Sequence, residues 1–104
     1  MNKSAFDDLL HQTFCRLSDL TESKGREYAG SADQLANFKR LADRLCLEPE
    51  QVLLVYLAKH LDAIDTYVRD YSAHTEPVLS EPIESRIDDA ILYLCLLKAL
   101  IRDQ

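Results

Sequence analysis

Glycine and proline are scarce in this chain: two glycines, Gly25 and Gly30, and three prolines in 104 residues. A sandwich or barrel of short strands needs many more tight turns than that, so the balance points to a mostly helical fold. Cysteine is equally sparing. Cys15, Cys46 and Cys95 form an odd set without C-x-x-C spacing, which removes the usual zinc and dithiol frameworks, and each joins an apolar helical pattern as a buried, reduced thiol would. The three histidines, His11, His60 and His74, lack the i, i+4 spacing of a zinc-binding helix.

Long apolar runs are missing too. The densest, "AILYLCLLKALI", falls short of the roughly 20 residues that span a bilayer and contains Lys98. The opening "MNKSAFDDLLHQTF" carries an acidic pair and no apolar h-region, so no secretory signal is expected and the cytoplasm is the expected location. Positive charge is in deficit: the formal charge is −6 and the pI near 4.9. General affinity for nucleic acid rests on Lys and Arg displacing counterions from phosphates, so nucleic acid is not the expected partner.

What is present is apolar residue content of 47%, enough for one core, arranged at helical spacing. The reading is a single all-α domain over 1–104, a bundle of four main helices. Ser4 and Asp7 resemble a capping box that opens helix 1 over Ala5 to Ser23, with Phe6, Leu9, Leu10, Phe14, Leu17 and Leu20 inward. Both glycines fall in "SKGREYAGSADQ", a connecting loop. Ser31 and Gln34 cap a second helix that buries Leu35, Phe38, Leu41, Ala42 and Leu45 and stops at "CLEPE". Pro49 suits the first turn of a third helix, where its missing N–H has no partner to lose. That helix presents Leu53, Leu57, Leu61, Ile64, Val68 and Tyr71 on one face. After the aperiodic "SAHTEPVLSEP", a fourth helix begins near Pro82 or Ile83.

Helix 4 is apolar on two sides. One broad stripe holds Ile83, Ile87, Ala90, Ile91, Leu94, Leu97 and Ile101, and a second holds Leu92, Leu96 and Leu100. The second stripe needs a cover, either from a central position in the fold or from another copy of the chain; a homodimer or higher oligomer is the favoured expectation.

The charged residues pose the functional question. On helix 3, Asp62, Asp65 and Arg69 form a strip along one edge of the apolar face, Tyr56, His60 and Tyr67 line the other, and Lys59 points away. On helix 4, Glu84 and Asp88 are i, i+4 neighbours, whereas Asp89 lies on the far side with Ser85 and Tyr93. Acids in a first helical turn are ordinary, because the macrodipole favours negative charge there. The sharper alternative is a Mg²⁺ site, since that ion takes oxygen ligands from one or two carboxylates together with substrate phosphates. In the loop before helix 2, Lys24, Arg26 and Tyr28 bring two cations and a ring together, as suits a phosphate and a base, although the P-loop pattern is absent.

The segments "KGREYAGSADQLANFKRLADRL", "VYLAKHLDAIDTYV" and "SEPIESRIDDAILYLCLLKALI" resemble small phage and prophage proteins of the nucleotide-modification-associated type. The resemblance rests on Lys24, Glu27 and Tyr28, Asn37 and Phe38, Lys59 and His60, and Arg86, Asp89 and Tyr93. More distantly, the layout is similar to the all-α nucleoside triphosphate pyrophosphohydrolases of the MazG and dimeric dUTPase kind, which carry Glu-x-x-Glu and Glu-x-x-Asp motifs, bind Mg²⁺ and assemble as dimers or tetramers. Asp62-x-x-Asp65, and Glu84 with Asp88 at a spacing of four, depart from those motifs. The resemblance implies a nucleotide ligand held by Lys24, Tyr28, Lys59, His60, Asp89 and Tyr93, in the host cytoplasm if the gene is a phage's. For an enzyme it implies Mg²⁺-dependent hydrolysis of a nucleoside triphosphate to monophosphate and pyrophosphate, with Asp62, Asp65, Glu84 and Asp88 as metal ligands and Asp65 and Glu84 as catalytic groups. Two alternatives stand beside it: a noncatalytic protein that sequesters a nucleotide or cyclic nucleotide against host defence, and an acidic interaction protein that blocks a host factor.

Overall fold

The computed structural model describes residues 1–24, 35–76 and 81–104, and over these the fold is all-α: four helices, and no strand among the described residues. They are α1 (Lys3–Lys24), α2 (Ala36–Leu45), α3 (Pro49–Ser72) and α4 (Ile83–Arg102). Among the described residues no helix is long and apolar enough to cross a membrane. The chain divides into two compact units, 1–37 and 38–104.

In the first unit α1 starts two residues before the expected Ala5. Its cap is Asn2, whose Oδ1 accepts from the Ala5 N–H at 2.9 Å, the bond an N-cap amide makes to an otherwise unpaired donor of the first turn. Of the apolar positions expected to face inward, Leu17 is buried, Leu9 and Leu20 are half-buried, and Phe6, Leu10 and Phe14 are exposed. The expected caps Ser31 and Gln34 lie outside the described residues.

The second unit is a hairpin of α3 and α4 with α2 against it. Gln51 Oε1 accepts from the Glu48 N–H at 2.9 Å and Pro49 fills the first turn of α3, so the start expected from Pro49 is the observed one. The buried side chains are Phe38 and Ala42 of α2, Val52, Leu53 and Leu57 of α3, and Ala90 and Leu100 of α4. Lys39 Nζ reaches Asp103 Oδ2 at 2.8 Å, tying α2 to the end of α4, and Gln104 Nε2 donates to Glu50 Oε1 at the start of α3.

Helices α2 and α3 end in the same way. The Leu47 N–H reaches the Ala42 carbonyl at 2.9 Å and the Cys46 N–H the Asp43 carbonyl at 3.4 Å; after α3, the Thr75 N–H reaches Asp70 at 2.8 Å and the His74 N–H reaches Tyr71 at 3.1 Å. Both are Schellman closures, which need a left-handed residue just past the helix. Cys46 and His74 supply it, with φ of 56° and 58°.

Two packing expectations are overturned. Cys15, Cys46 and Cys95 are free thiols and all exposed: Cys46 sits in a closing turn, and Cys95 lies next to the half-open stripe of α4 rather than under α3. The second stripe of α4 is covered within the chain, with Leu100 buried and Leu92 and Leu96 half-buried. The first stripe is buried at Ala90 and half-buried at Ile83, Ile91 and Leu97, and lies open at Ile87, Leu94 and Ile101. On α3 the inward face holds at Leu53 and Leu57 but is exposed at Leu61, Val68 and Tyr71.

Candidate functional site between helices α3 and α4

Two i, i+4 pairs face each other across the hairpin. Tyr56 and His60 stand one turn apart on α3, Asp89 and Tyr93 one turn apart on α4. Helical periodicity places each pair on a single face. Tyr56 meets Tyr93 and His60 meets Asp89, later residues of α3 beside earlier ones of α4, which is the antiparallel register of the hairpin.

The rings form a compact array. Tyr56 and Tyr93 lie parallel, 1° between their planes and 6.2 Å between centroids. Phe38 of α2 points at both in edge-on geometry, at 6.1 Å and 77° to Tyr56 and 6.2 Å and 78° to Tyr93. His60 lies over Tyr93 at 5.2 Å with a 31° tilt. Offset-parallel and edge-to-face contacts at such separations are the ones the ring quadrupole favours. Tyr56 keeps an exposed side, so part of the array is open to solvent.

Polar groups border these rings. His60 Nδ1 is 3.9 Å from Asp89 Oδ2, an ion-pair distance longer than a hydrogen bond, and both side chains are largely buried. Burial raises the Tyr93 hydroxyl above its ordinary value, and the charges of Asp89 and then Tyr56 push the same way. Tyr93 therefore stays protonated at neutral pH and can donate a hydrogen bond. Arg86, three residues before Asp89, shares the face of α4 turned toward α3; its Nε is 3.9 Å from Glu81 Oε2 and its side chain is mostly buried.

Three of the residues expected to bind a ligand, His60, Asp89 and Tyr93, are thus brought together. Lys59 is exposed, and Tyr28 and the Lys24 side chain lie outside the described residues. The cluster contains two members that are not among the expected ligand-binding residues: Tyr56, read as lining one edge of helix 3 together with His60, and Phe38, read as core of helix 2 and as part of the phage-type resemblance. The spacing of Tyr56 to His60 carried a signal; nothing local connected Phe38 to them. Tyr67 stacks on Tyr71 at 6.4 Å instead and takes no part.

The four carboxylates expected to hold Mg²⁺ have different surroundings. Asp62, Asp65 and Glu84 are exposed while Asp88 is buried, and among the described residues no three His, Cys, Asp or Glu side chains form a group that could hold a metal ion. Asp65 pairs with Arg69 at 3.0 Å along its own helix, and Glu84 sits in the first turn of α4, where the macrodipole favours an acid.

No family model matches the chain, and neither does a curated protein or a solved structure. The phage and MazG-like resemblance rests on the residues quoted for it alone.

Proposed function

We propose that this chain binds a nucleotide, taking its base on the aromatic array of Tyr56, Tyr93 and His60. The observation that carries the reading is the meeting of His60, Asp89 and Tyr93, from two helices, beside a partly open tyrosine pair. Aromatic faces accept any flat heterocycle by stacking. A histidine, a carboxylate and a protonated phenol at the rim supply the acceptors and donors that fix the edge of one. Binding is favoured over hydrolysis because no three His, Cys, Asp or Glu side chains among the described residues form a group that could hold a metal ion.

A thermal-shift series with a panel of nucleotides, with and without EDTA, tests this reading. A nucleotide at 100 times its Kd should stabilise the fold by about 2.7 kcal/mol, with or without chelator. Tyr56→Ala should weaken binding at least about tenfold, the loss of one stacking face, whereas Asp65→Asn and Glu84→Gln should leave it unchanged. The reading fails if no nucleotide stabilises the protein or if Tyr56→Ala binds as tightly as the parent.

A further inference from the structure

The α3–α4 hairpin leaves one apolar face open. Leu54, Leu61 and Val68 on α3 and Ile87, Leu94 and Ile101 on α4 are each between 40% and 59% exposed. Both trios repeat every seven residues, a spacing over which a helix drifts by only about 20°, so each is a straight stripe. Leu54 lies about 160° round α3 from Tyr56, so its stripe turns away from Phe38 and α2. Going round α3 from Tyr56 past Leu53 and Leu57, and round α4 from Tyr93 past Ala90 and Leu97, reaches the same side of the hairpin. The six side chains thus make one surface, on the order of 500 Å² of apolar area, at the upper end for a lone monomer. A standard interface buries about 800 Å² per partner, so the six side chains supply more than half of one.

The flanking charges say what covers it. Along the outer edge of the α4 stripe run Glu84, Ile91 and Lys98, again every seven residues, with the acid and the base exposed. This edge complements itself only when two copies of α4 run antiparallel about Ile91, which sets each Glu84 against Lys98 of the second copy. The same pairing sets Leu54 opposite Leu61 and Ile87 opposite Leu94 of the second copy. The rival packing, α3 of one copy on α4 of the other, gives this edge no opposite charge to meet: by the register that puts Tyr56 beside Tyr93 and His60 beside Asp89, Glu84 stands level with Asp65, which Arg69 already pairs at 3.0 Å, and Lys98 stands level with the uncharged Gln51.

We propose that the open face is the interface of a homodimer, in which two α3–α4 hairpins stack about a two-fold axis near Ile91, helix α4 antiparallel on α4, as a four-helix layer pair. This differs from the interface expected from Leu92, Leu96 and Leu100, which the chain covers itself, and it is independent of the ligand reading.

The test is light scattering of the full chain at micromolar concentration and low ionic strength, with helix content followed by circular dichroism. The parent should be a dimer, and Leu94→Glu should give a helical monomer. If Leu94→Glu does not fold, two exposed-charge variants decide the matter. Lys98→Glu alone should weaken the dimer by about fivefold, and Glu84→Lys combined with Lys98→Glu should restore it, because the swapped charges meet again across the two-fold axis. A monomeric parent, or a dimer whose affinity ignores the single change or is not recovered by the double one, overturns the proposal.

Discussion

Tyr56 and Tyr93 lie parallel across the hairpin, 6.2 Å between centroids and 1° between planes. This contact joins the middle of α3 to the middle of α4, and its surroundings set the chemistry of one partner. Burial, and then the charge of Asp89 one turn away on the same helix, raise the Tyr93 hydroxyl above its ordinary value.

Stability should therefore fall at high pH. The folded-state value of Tyr93 is raised above the ordinary 10.0, so the unfolded chain loses the proton first. The stabilising contribution is complete below 10.0 and is lost as pH rises through the folded value. Denaturant titrations at a series of alkaline pH values should show a decline that Tyr93→Phe flattens. Tyrosinate absorbance should show one late-titrating tyrosine, moved to lower pH by Asp89→Asn.

The helix ends are places to gain stability. Cys46 and His74 hold left-handed backbone, φ 56° and 58°, at positions where a side chain bearing Cβ is under strain and glycine is not. Cys46→Gly and His74→Gly should each stabilise the protein by about 1 kcal/mol in chemical denaturation, with unchanged helix content. A loss of stability in both would mean that the closing bonds at Ala42 and Asp70 do not govern these ends.

Core and surface of α3 separate within three residues. Leu53 is 0% exposed and Val55 68% exposed. Leu53→Ala should cost about 2–5 kcal/mol through lost transfer energy and the cavity left behind, while Val55→Ala should stay within about 0.5 kcal/mol. Urea midpoints at constant slope measure both.

Thiol chemistry tests the placement of the cysteines. Because Cys15, Cys46 and Cys95 are all exposed, each should react with a disulfide reagent in the native state at a rate that does not depend on unfolding. Counting thiols that react without denaturant checks this.

The helices were legible because their determinants are local. Apolar spacing, Pro49 at a first turn and the aperiodic segments between helices act within a few residues, and the observed starts of α3 and α4 match the expected ones. Capping was read less well: Asn2 rather than Ser4 opens α1, since either side chain has the chemistry and only backbone direction chooses between them. Of the site, the sequence pointed to His60, Asp89 and Tyr93 one by one, but not to their meeting with Phe38 and Tyr56.

From the chain alone came the helical class, the number of helices, the ends of the hairpin and the acidic balance, all consequences of residue type and of interactions one turn long. Tertiary structure decided which apolar stripe is covered. A stripe on a helical wheel reports the chemistry around one helix, whereas burial depends on where the neighbouring helix lies, so Leu100 is enclosed and the equally apolar Leu94 is not. It also decided which acids share a site. Asp65 and Asp89 look alike in sequence, but the antiparallel register sets Asp89 beside His60 and leaves Asp65 with Arg69 in solvent, because a contact between residues far apart in the chain is fixed by how two helices cross and not by either helix alone.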